Sequence, residues 1–183
     1  MRIIAGKCRG RVFDAPEGVK TRPTHDRVKE SLFGSIQFDI PGATVLDLFS
    51  GSGNISLEAA SRGAKLCVAA DVDAGCVSLI RRNAAALGLS ELIRTLQGDY
   101  REILRLLAGE GFKADIVYLD APYASGFSQD AARIVFEQKM LSDNGRLFIE
   151  HSGEVNVAPS PLYEIFRTKQ YGRCFITELR WNC

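Results

Sequence analysis

Apolar runs alternate with amphipathic segments along most of this 183-residue chain. Runs of five to seven mostly apolar residues predict strands, and segments with an apolar period near 3.6 residues predict helices between them. The predicted strands cover 44–49, 65–71, 93–97, 115–120 and 146–151, and the predicted helices cover 54–62, 74–87, 100–108 and 128–139. Repeated β-α-β units with nearly continuous apolar strands predict an α/β fold with a doubly wound, mostly parallel sheet.

The two ends of the chain carry patterns that differ from this alternation. RIIAG and GRVFDA flank a glycine-containing turn and predict a short β-hairpin within residues 2–15. A helical period of apolar residues follows over 24–36. Near the other end, 162–172 and 173–181 meet at a glycine-containing turn and predict an antiparallel strand pair that closes the edge of the sheet.

The composition, 46% hydrophobic and 25% charged, is that of an ordinary globular domain. We expect one domain over 1–183, with a basic hairpin extension at 1–23 and a core at 24–183 that includes its leading helix. No apolar stretch approaches the roughly 20 residues of a membrane-spanning helix, and the N-terminus lacks the apolar core of a signal peptide. We therefore expect a cytoplasmic protein without a membrane partner.

Acidic residues follow the predicted strands at the edge of the sheet where open α/β folds bind ligands. Gly51 and Gly53, after the first strand, allow the backbone to approach a ligand at the start of the next helix. Asp71 lies 20 residues beyond Gly51, where dinucleotide enzymes and S-adenosylmethionine (AdoMet) enzymes both use an acid for ribose hydroxyls. The four acids at this edge are Asp47, Asp71, Asp99 and Asp120.

The negative charge of this edge distinguishes between a dinucleotide and AdoMet as the cofactor. Like charges 4 Å apart repel by roughly 4 kcal/mol at an effective dielectric of about 20, so an acidic edge disfavours a pyrophosphate. AdoMet carries an ammonium group and a sulfonium and has no phosphate. We therefore favour AdoMet, with Asp47 and Asp71 near its amino-acid and ribose parts.

The tetrapeptide DAPY ends the fourth predicted strand with a carboxylate in a loop. An exocyclic amine of a nucleobase is a weak nucleophile because its lone pair is delocalised into the ring. Asp120 and the carbonyl of Ala121 are expected to accept its two hydrogens, and the carboxylate stabilises the positive charge that develops on nitrogen. Pro122 fixes the loop and Tyr123 stacks on the base. For the isolated tetrapeptide, a β-turn with a core tyrosine is the alternative.

Charge is distributed unevenly between the N-terminal segment and the rest of the chain. Residues 1–30 carry eight Lys and Arg against four acids, and the remainder carries 15 against 18. A basic segment on an acidic body predicts a polyanionic partner, although solvated surface charge is the alternative. The candidate phosphate contacts are Lys7, Arg9, Arg11, Arg22, Arg27 and Lys29.

The cysteines and histidines do not predict a metal site. Five cysteines are widely spread without a C-x-x-C pair, which also gives no disulfide framework. His25 and His151 have no partners at metal or catalytic-triad spacing, so we assign them no catalytic role.

Five segments in this order resemble one family nearly end to end. MRIIAGKCRGR, TRPTHDRVKESLF, DLFSGSGNISLEAASRGA, DAPY and KQYG together resemble the RsmD-type small-subunit (16S) ribosomal RNA guanine methyltransferases. The resemblance implies a Rossmann-like AdoMet-dependent fold with a small N-terminal hairpin extension. It also implies methylation of the 2-amino group of a guanine in bacterial small-subunit ribosomal RNA, either naked or within an assembled or assembling subunit.

The resemblance also assigns roles to individual positions. The base-binding motif falls on Asp120, Ala121, Pro122 and Tyr123; its usual form is Asp-Pro-Pro-aromatic, so Ala121 is a departure that keeps the backbone carbonyl. The implied cofactor positions are Asp47, Gly51, Gly53, Asp71 and Asp99.

Two other functions use some of the same residues. A DNA or RNA adenine methyltransferase also acts on an exocyclic amine, although only about 40 residues precede the first core strand, which leaves little room for a DNA target-recognition region. A non-catalytic AdoMet- or nucleotide-binding module explains the glycines but gives Asp120 and Tyr123 no purpose.

Overall fold

The computed structural model describes residues 1–16, 23–122, 126–153 and 157–182. The strands of this part are β1 (Thr44–Asp47), β2 (Leu66–Asp71), β3 (Ile93–Gln97), β4 (Ala114–Leu119), β5 (Leu141–Ser152), β6 (Tyr163–Tyr171) and β7 (Cys174–Trp181). Its helices are α1 (Pro23–Ser35), α2 (Asn54–Ser61), α3 (Ala74–Leu87), α4 (Tyr100–Gly109) and α5 (Phe127–Glu137), with a 3₁₀ turn at Ser90–Leu92.

All seven strands form one sheet in the order β3-β2-β1-β4-β5-β7-β6. Strands β1 to β5 pair in parallel, and β7 pairs antiparallel with both β5 and β6. This arrangement confirms the predicted α/β fold with a mostly parallel sheet and an antiparallel C-terminal pair. Within that pair, β6 lies at the edge and β7 is inserted beside β5.

Two apolar layers cover the faces of the sheet, because neighbouring residues of a strand point to opposite sides. Phe148 of β5 packs in the layer that contains Phe33 of α1, whereas the preceding Leu147 packs with Phe136 of α5. No helix in the described ranges is both long and apolar enough to cross a membrane.

The N-terminal segment forms a hairpin-like loop rather than a ladder of strands. An isolated antiparallel bridge joins Arg2 to Val12, and the N–H of Ile3 donates to the carbonyl of Arg11 over 3.0 Å. The carboxylate of Glu58 accepts hydrogen bonds from the backbone of Ile4 and Ala5 at 2.8 and 3.0 Å. The segment is therefore fastened to α2 through its backbone.

Glu58 is fully buried and also forms ion pairs that complete this attachment. Its oxygens lie 3.1 Å from the Nζ atom of Lys29 and 2.8 Å from the Nε atom of Arg62. The Lys29 ammonium also donates to the carbonyl of Arg2 and to Oδ1 of Asn54, at 2.7 and 2.9 Å. A buried charge needs such partners, so Glu58 and Lys29 hold α1, α2 and the N-terminal loop together.

Candidate active site

Two cavities lie side by side at the carboxyl edge of the parallel strands. The larger has a volume of about 560 Å³ and the smaller about 220 Å³. Phe49, Gly51 and Asp120 line both cavities. A group bound in either cavity would therefore lie next to Asp120.

The larger cavity has apolar walls and an acidic rim. The Tyr100 ring packs between Phe49 and Phe127, with ring centroids 5.6 and 5.3 Å apart. Among the described residues, no lysine or arginine lines the cavity. The charged residues that line it in this part of the chain are Asp71, Asp99 and Asp120. These walls suit a flat aromatic ligand that carries positive charge and lacks phosphate.

Hydrogen bonds from the backbone hold the acids of this rim in place. Asp71 accepts from the N–H of Gly51 at 2.8 Å and from the N–H of Asp73 at 2.9 Å. Asp99 caps α4 by accepting from the N–H of Arg101 at 2.9 Å. Each carboxylate oxygen has two lone pairs, so Asp71 retains acceptor capacity for a ligand.

Gly51 has a structural reason to be glycine in this loop. Its φ of 52° lies in the left-handed region, and a Cβ atom there would meet nothing within 4 Å. Such an atom would project into space that the glycine leaves open between the two cavities. The residues of the larger cavity therefore fit AdoMet by both shape and charge.

Two of the expected cofactor positions do not line the larger cavity. Asp47 is buried, and its Oδ2 atom accepts from the N–H and the hydroxyl of Ser56 at 3.2 and 2.7 Å. Burial raises the pKa of Asp47 to about 6, because desolvation disfavours its charged form. Gly53 has a φ of 78°, and a Cβ there would lie 3.1 Å from Cγ1 of Ile80.

These contacts give both residues local structural roles. Asp47 joins the end of β1 to the first turn of α2 and lines the smaller cavity. Gly53 permits a left-handed turn and close packing of that loop against α3. The sequence pattern grouped Asp47 with Asp71 because strand-end position alone does not distinguish a buried carboxylate from a half-buried one that lines a cavity.

Asp120 is half-buried between the two cavities and lies next to a second acid. Desolvation raises the pKa of Asp120 well above the usual 3.8, and the negative charges of Glu150 and Asp47 raise it further. Glu150 accepts from the Tyr118 hydroxyl and from the Cys174 thiol, the latter at 3.2 Å. Sequence reasoning missed Glu150, although the acid that follows RLFI in β5 ends an apolar run at the same edge.

The rest of the DAPY loop is described only in part. Ala121 is buried, and its N–H donates to the Ser128 hydroxyl at 3.3 Å. Residue 121 therefore has a structural role through its N–H, in addition to the role expected for its carbonyl. Pro122 is exposed and lines the larger cavity. Tyr123 lies outside the described residues.

The predicted phosphate contacts do not form one surface. The N–H of Lys7 donates to the carbonyl of Ser61 at the end of α2, and Lys7 and Arg9 are exposed there. The Arg11 guanidinium donates to the carbonyls of Ala86 and Leu87 at the end of α3. Helices α2 and α3 begin at the cavity edge, and their 8 and 14 residues span about 12 and 21 Å, so Lys7, Arg9 and Arg11 lie beside the helix ends that face away from the cavities.

The remaining candidates differ among themselves. Arg27 is exposed on α1, two residues before Lys29, which lines the smaller cavity. Lys29 itself is only 1% exposed, and its ion pair with Glu58 removes it from the set of surface phosphate contacts. Arg22 lies outside the described residues.

A basic residue near the cavities was missed because it lies far along the chain. The Ser31 hydroxyl of α1 lies 2.6 Å from the Tyr171 hydroxyl in the KQYG segment. This contact brings the turn between β6 and β7, with its exposed Arg173, beside α1. Arg27 lies one helical turn before Ser31, and Arg173 precedes Cys174, whose thiol contacts Glu150 of the smaller cavity, so both arginines lie on elements at the cavity edge of the sheet.

The contacts of His151 indicate a structural role for this side chain. Its Nε2 atom lies 2.9 Å from the Thr177 hydroxyl, its Nδ1 atom lies 2.8 Å from the Gly153 carbonyl, and its ring stacks on Phe175. The side chain of His25 lies outside the described residues. No cluster of His, Cys, Asp and Glu suited to a metal ion occurs in the described ranges.

Comparison with known proteins adds relatives that cover nearly the whole chain. A family profile described as Conserved hypothetical protein 95 matches residues 1–180. The putative rRNA methyltransferase YlbH of Bacillus subtilis (strain 168) is 33% identical over 172 residues, which cover 93% of this chain and 92% of that protein. Ribosomal RNA small subunit methyltransferase D of Escherichia coli (strain K12) is 30% identical and covers 94% and 86%. The solved structure of the putative methyltransferase yhhF from Escherichia coli superposes with a TM-score of 0.85 at 29% identity, and covers 100% and 98%.

Proposed function

Because the chain belongs to the RsmD family of ribosomal RNA methyltransferases, we propose that it methylates the 2-amino group of one guanine in small-subunit ribosomal RNA. AdoMet is the cofactor. The observation that carries the proposal is the position of Asp120, which lines both cavities. A base in the smaller cavity and AdoMet in the larger one would meet at this carboxylate.

The larger cavity is the proposed AdoMet site. Asp71 is suited to accept hydrogen bonds from ribose hydroxyls, and the rings of Phe49, Tyr100 and Phe127 are suited to enclose the adenine. Asp99 adds negative charge, which favours a cationic ligand. When bound, AdoMet supplies a methyl group on a positively charged sulfur that an amine nitrogen can attack.

Asp120 is the proposed catalytic residue. Its carboxylate accepts a hydrogen from the exocyclic amine, together with the carbonyl of Ala121, and so favours the geometry in which the nitrogen lone pair is available. As nitrogen gains positive charge, the nearby carboxylate stabilises that charge more in the transition state than in the ground state. The amine then loses one proton, for which Asp120 is the nearest acceptor.

Phosphate contacts at the cavity edge of the sheet complete the proposal. We assign Arg27 and Arg173 to the part of the RNA next to the modified base, and Lys7 and Arg9 to a more distant part. In this proposal residues 1–23 form a basic extension and 24–183 the catalytic core of a single domain. The hydrogen bonds between Glu58 and the backbone of Ile4 and Ala5 support that unity.

Product analysis with labelled AdoMet tests this function. The substrates are small subunits from cells lacking the protein, the naked ribosomal RNA of those subunits, and duplex DNA. We expect label in N2-methylguanosine after digestion of ribosomal RNA from one of the first two. Label in N6-methyladenine, or no transfer to any substrate, contradicts the proposal. Comparison of the first two substrates also shows whether an assembled subunit is required.

A further inference from the structure

Glu150 has no role in the proposed methyl transfer, yet it lines the smaller cavity together with Asp120. The two residues follow a register pair of adjacent parallel strands, since Leu119 of β4 lies opposite Ile149 of β5. Neighbouring strands are about 4.8 Å apart, so the two carboxylates leave the sheet side by side. The smaller cavity therefore offers two neighbouring groups of acceptors.

Two donors hold the Glu150 side chain in this position. The Tyr118 hydroxyl donates to Oε2, and the Cys174 thiol donates to Oε1 at 3.2 Å. Tyr118 and Cys174 are themselves buried, so the carboxylate has fixed neighbours. Each oxygen has a second lone pair and can accept a further hydrogen bond from a ligand.

Among the described residues, the other charged side chains that line the smaller cavity are those of Asp47 and Lys29. Asp47 is engaged with Ser56, and Lys29 is engaged with Glu58. Asp120 and Glu150 are therefore the acids best suited to recognise a base in this cavity.

We propose that Glu150 selects guanine by accepting a hydrogen bond from the N1–H group of the base, while Asp120 accepts one from the 2-amino group. This inference rests on the proposed function and names the residue that sets its base specificity. Guanine presents these two donors next to each other on its Watson–Crick edge. Adenine presents an exocyclic amine next to N1, which is an acceptor, so a carboxylate at the position of Glu150 would face a lone pair.

The wild-type protein provides the first test, once product analysis has located the target guanine. Small-subunit RNA is prepared with guanine or with 2,6-diaminopurine at that position. Diaminopurine keeps the 2-amino group but has an acceptor at N1. We expect single-turnover methylation of diaminopurine to be at least about tenfold slower, since one charged hydrogen bond is lost and a repulsive contact replaces it. Equal rates on the two RNAs would overturn the inference whatever the variants do.

The variant Glu150→Gln provides the second test. Its amide retains an acceptor and adds a donor that can face the N1 lone pair of diaminopurine. We expect the preference for guanine to fall by about 10- to 150-fold, with AdoMet affinity unchanged. Glu164→Gln, the same change on the exposed part of β6, is the matched control and should keep the wild-type preference. An unchanged preference in a folded Glu150→Gln protein would contradict the inference.

The pH profile tests the side-by-side arrangement of Glu150 and Asp120 on which the inference rests. Because the charge of Glu150 raises the pKa of Asp120, its removal should shift the acidic limb of the rate profile to lower pH. A limb that stays in place would contradict the side-by-side arrangement. Failure of the proposed function has a different signature, namely the absence of N2-methylguanosine with the wild-type protein.

Discussion

The backbone N–H of Gly51 donates to the Asp71 carboxylate over 2.8 Å, which ties the loop after β1 to the end of β2. Both residues line the larger cavity. Asp71 therefore holds the loop and also faces the space assigned to AdoMet. The strand-end acid and the glycine that the sequence places 20 residues apart are direct neighbours in the fold.

Asp71→Ala should weaken AdoMet binding about 10- to 150-fold. The reason is the loss of charged acceptors for the ribose, each worth roughly 1.5–3 kcal/mol. Isothermal titration calorimetry measures the effect. Asp73→Ala is the matched control, because that carboxylate caps α3 and does not line the larger cavity. Equal affinities for wild type and Asp71→Ala would remove Asp71 from the cofactor site.

Most helices and strands were predicted correctly from the sequence, because each has a local hydrophobic pattern that identifies it. Strand β5 is an exception, since it begins at Leu141 rather than at the predicted residue 146, and its first residues pair through a register shift with β4. The insertion of β7 between β5 and β6 was not predicted either. A local pattern shows that two strands are antiparallel, but it does not show which of them contacts the sheet.

The candidate site was predicted less completely, because a charge pattern does not reveal burial. Lys29 and Asp47 were expected to contact ligands, but each is buried and engaged with a neighbouring side chain. Glu150 and Arg173 were missed because pairing between strands that are distant in the sequence places them at the cavity edge of the sheet. Asp120 lies where its motif indicated, at the boundary of two cavities.

Glu58→Ala should lower the free energy of unfolding by about 3–5 kcal/mol. The change removes the acceptor for the N-terminal loop and leaves the Lys29 ammonium buried without its main counter-charge. Urea unfolding measures the loss. Glu137→Ala, which removes an exposed ion pair with Arg133, should cost about 0–1 kcal/mol.

A second substitution in the Glu58→Ala protein tests whether the loss of stability comes from the buried ammonium of Lys29. Lys29→Met combined with Glu58→Ala should recover part of the loss, because it removes the buried charge that Glu58 neutralises in the wild type. No recovery would show that the loop contacts, and not the buried ammonium, dominate the effect.

Asp47→Asn should change how stability depends on pH. Burial raises the pKa of Asp47 from 3.8 to about 6, so the folded wild-type protein binds a proton more tightly than the unfolded chain does. The associated stability is fully present below pH 3.8 and is lost as the pH rises through 6, a change of about 3 kcal/mol. Asp47→Asn lacks this loss, so its free energy of unfolding should rise relative to that of the wild type between pH 4 and pH 7. Parallel stability curves from urea unfolding at several pH values would contradict the assignment.

Arg27→Ala combined with Arg173→Ala should lower RNA affinity and flatten its salt dependence. Each lost phosphate contact changes the slope of log K against log salt by roughly 0.7–0.9, so the pair should reduce it by about 1.4–1.8. Fluorescence titration of small-subunit RNA at several salt concentrations measures the slope.

Two further double variants test whether the change in salt dependence is specific to Arg27 and Arg173. Lys65→Ala with Lys113→Ala removes two exposed charges at the amino edge of the sheet and should leave the slope unchanged. Lys7→Ala with Arg9→Ala should reduce it by less than the Arg27 and Arg173 pair does. A larger effect from Lys7 and Arg9 would mean that the RNA is held mainly at the edge opposite the cavities.

Single-turnover methylation by Asp120→Ala tests the central claim most directly, because Asp120 is the one acid of the described ranges that lines both cavities. The rate is measured with saturating AdoMet on the ribosomal RNA substrate, and calorimetry and the melting temperature establish that cofactor binding and folding are retained. We predict a rate about 100- to 1000-fold below that of the wild type, since a pre-placed charge that acts mainly in the transition state is lost. A rate near that of the wild type, in a folded protein that binds AdoMet, would contradict the assignment of Asp120 as the catalytic residue.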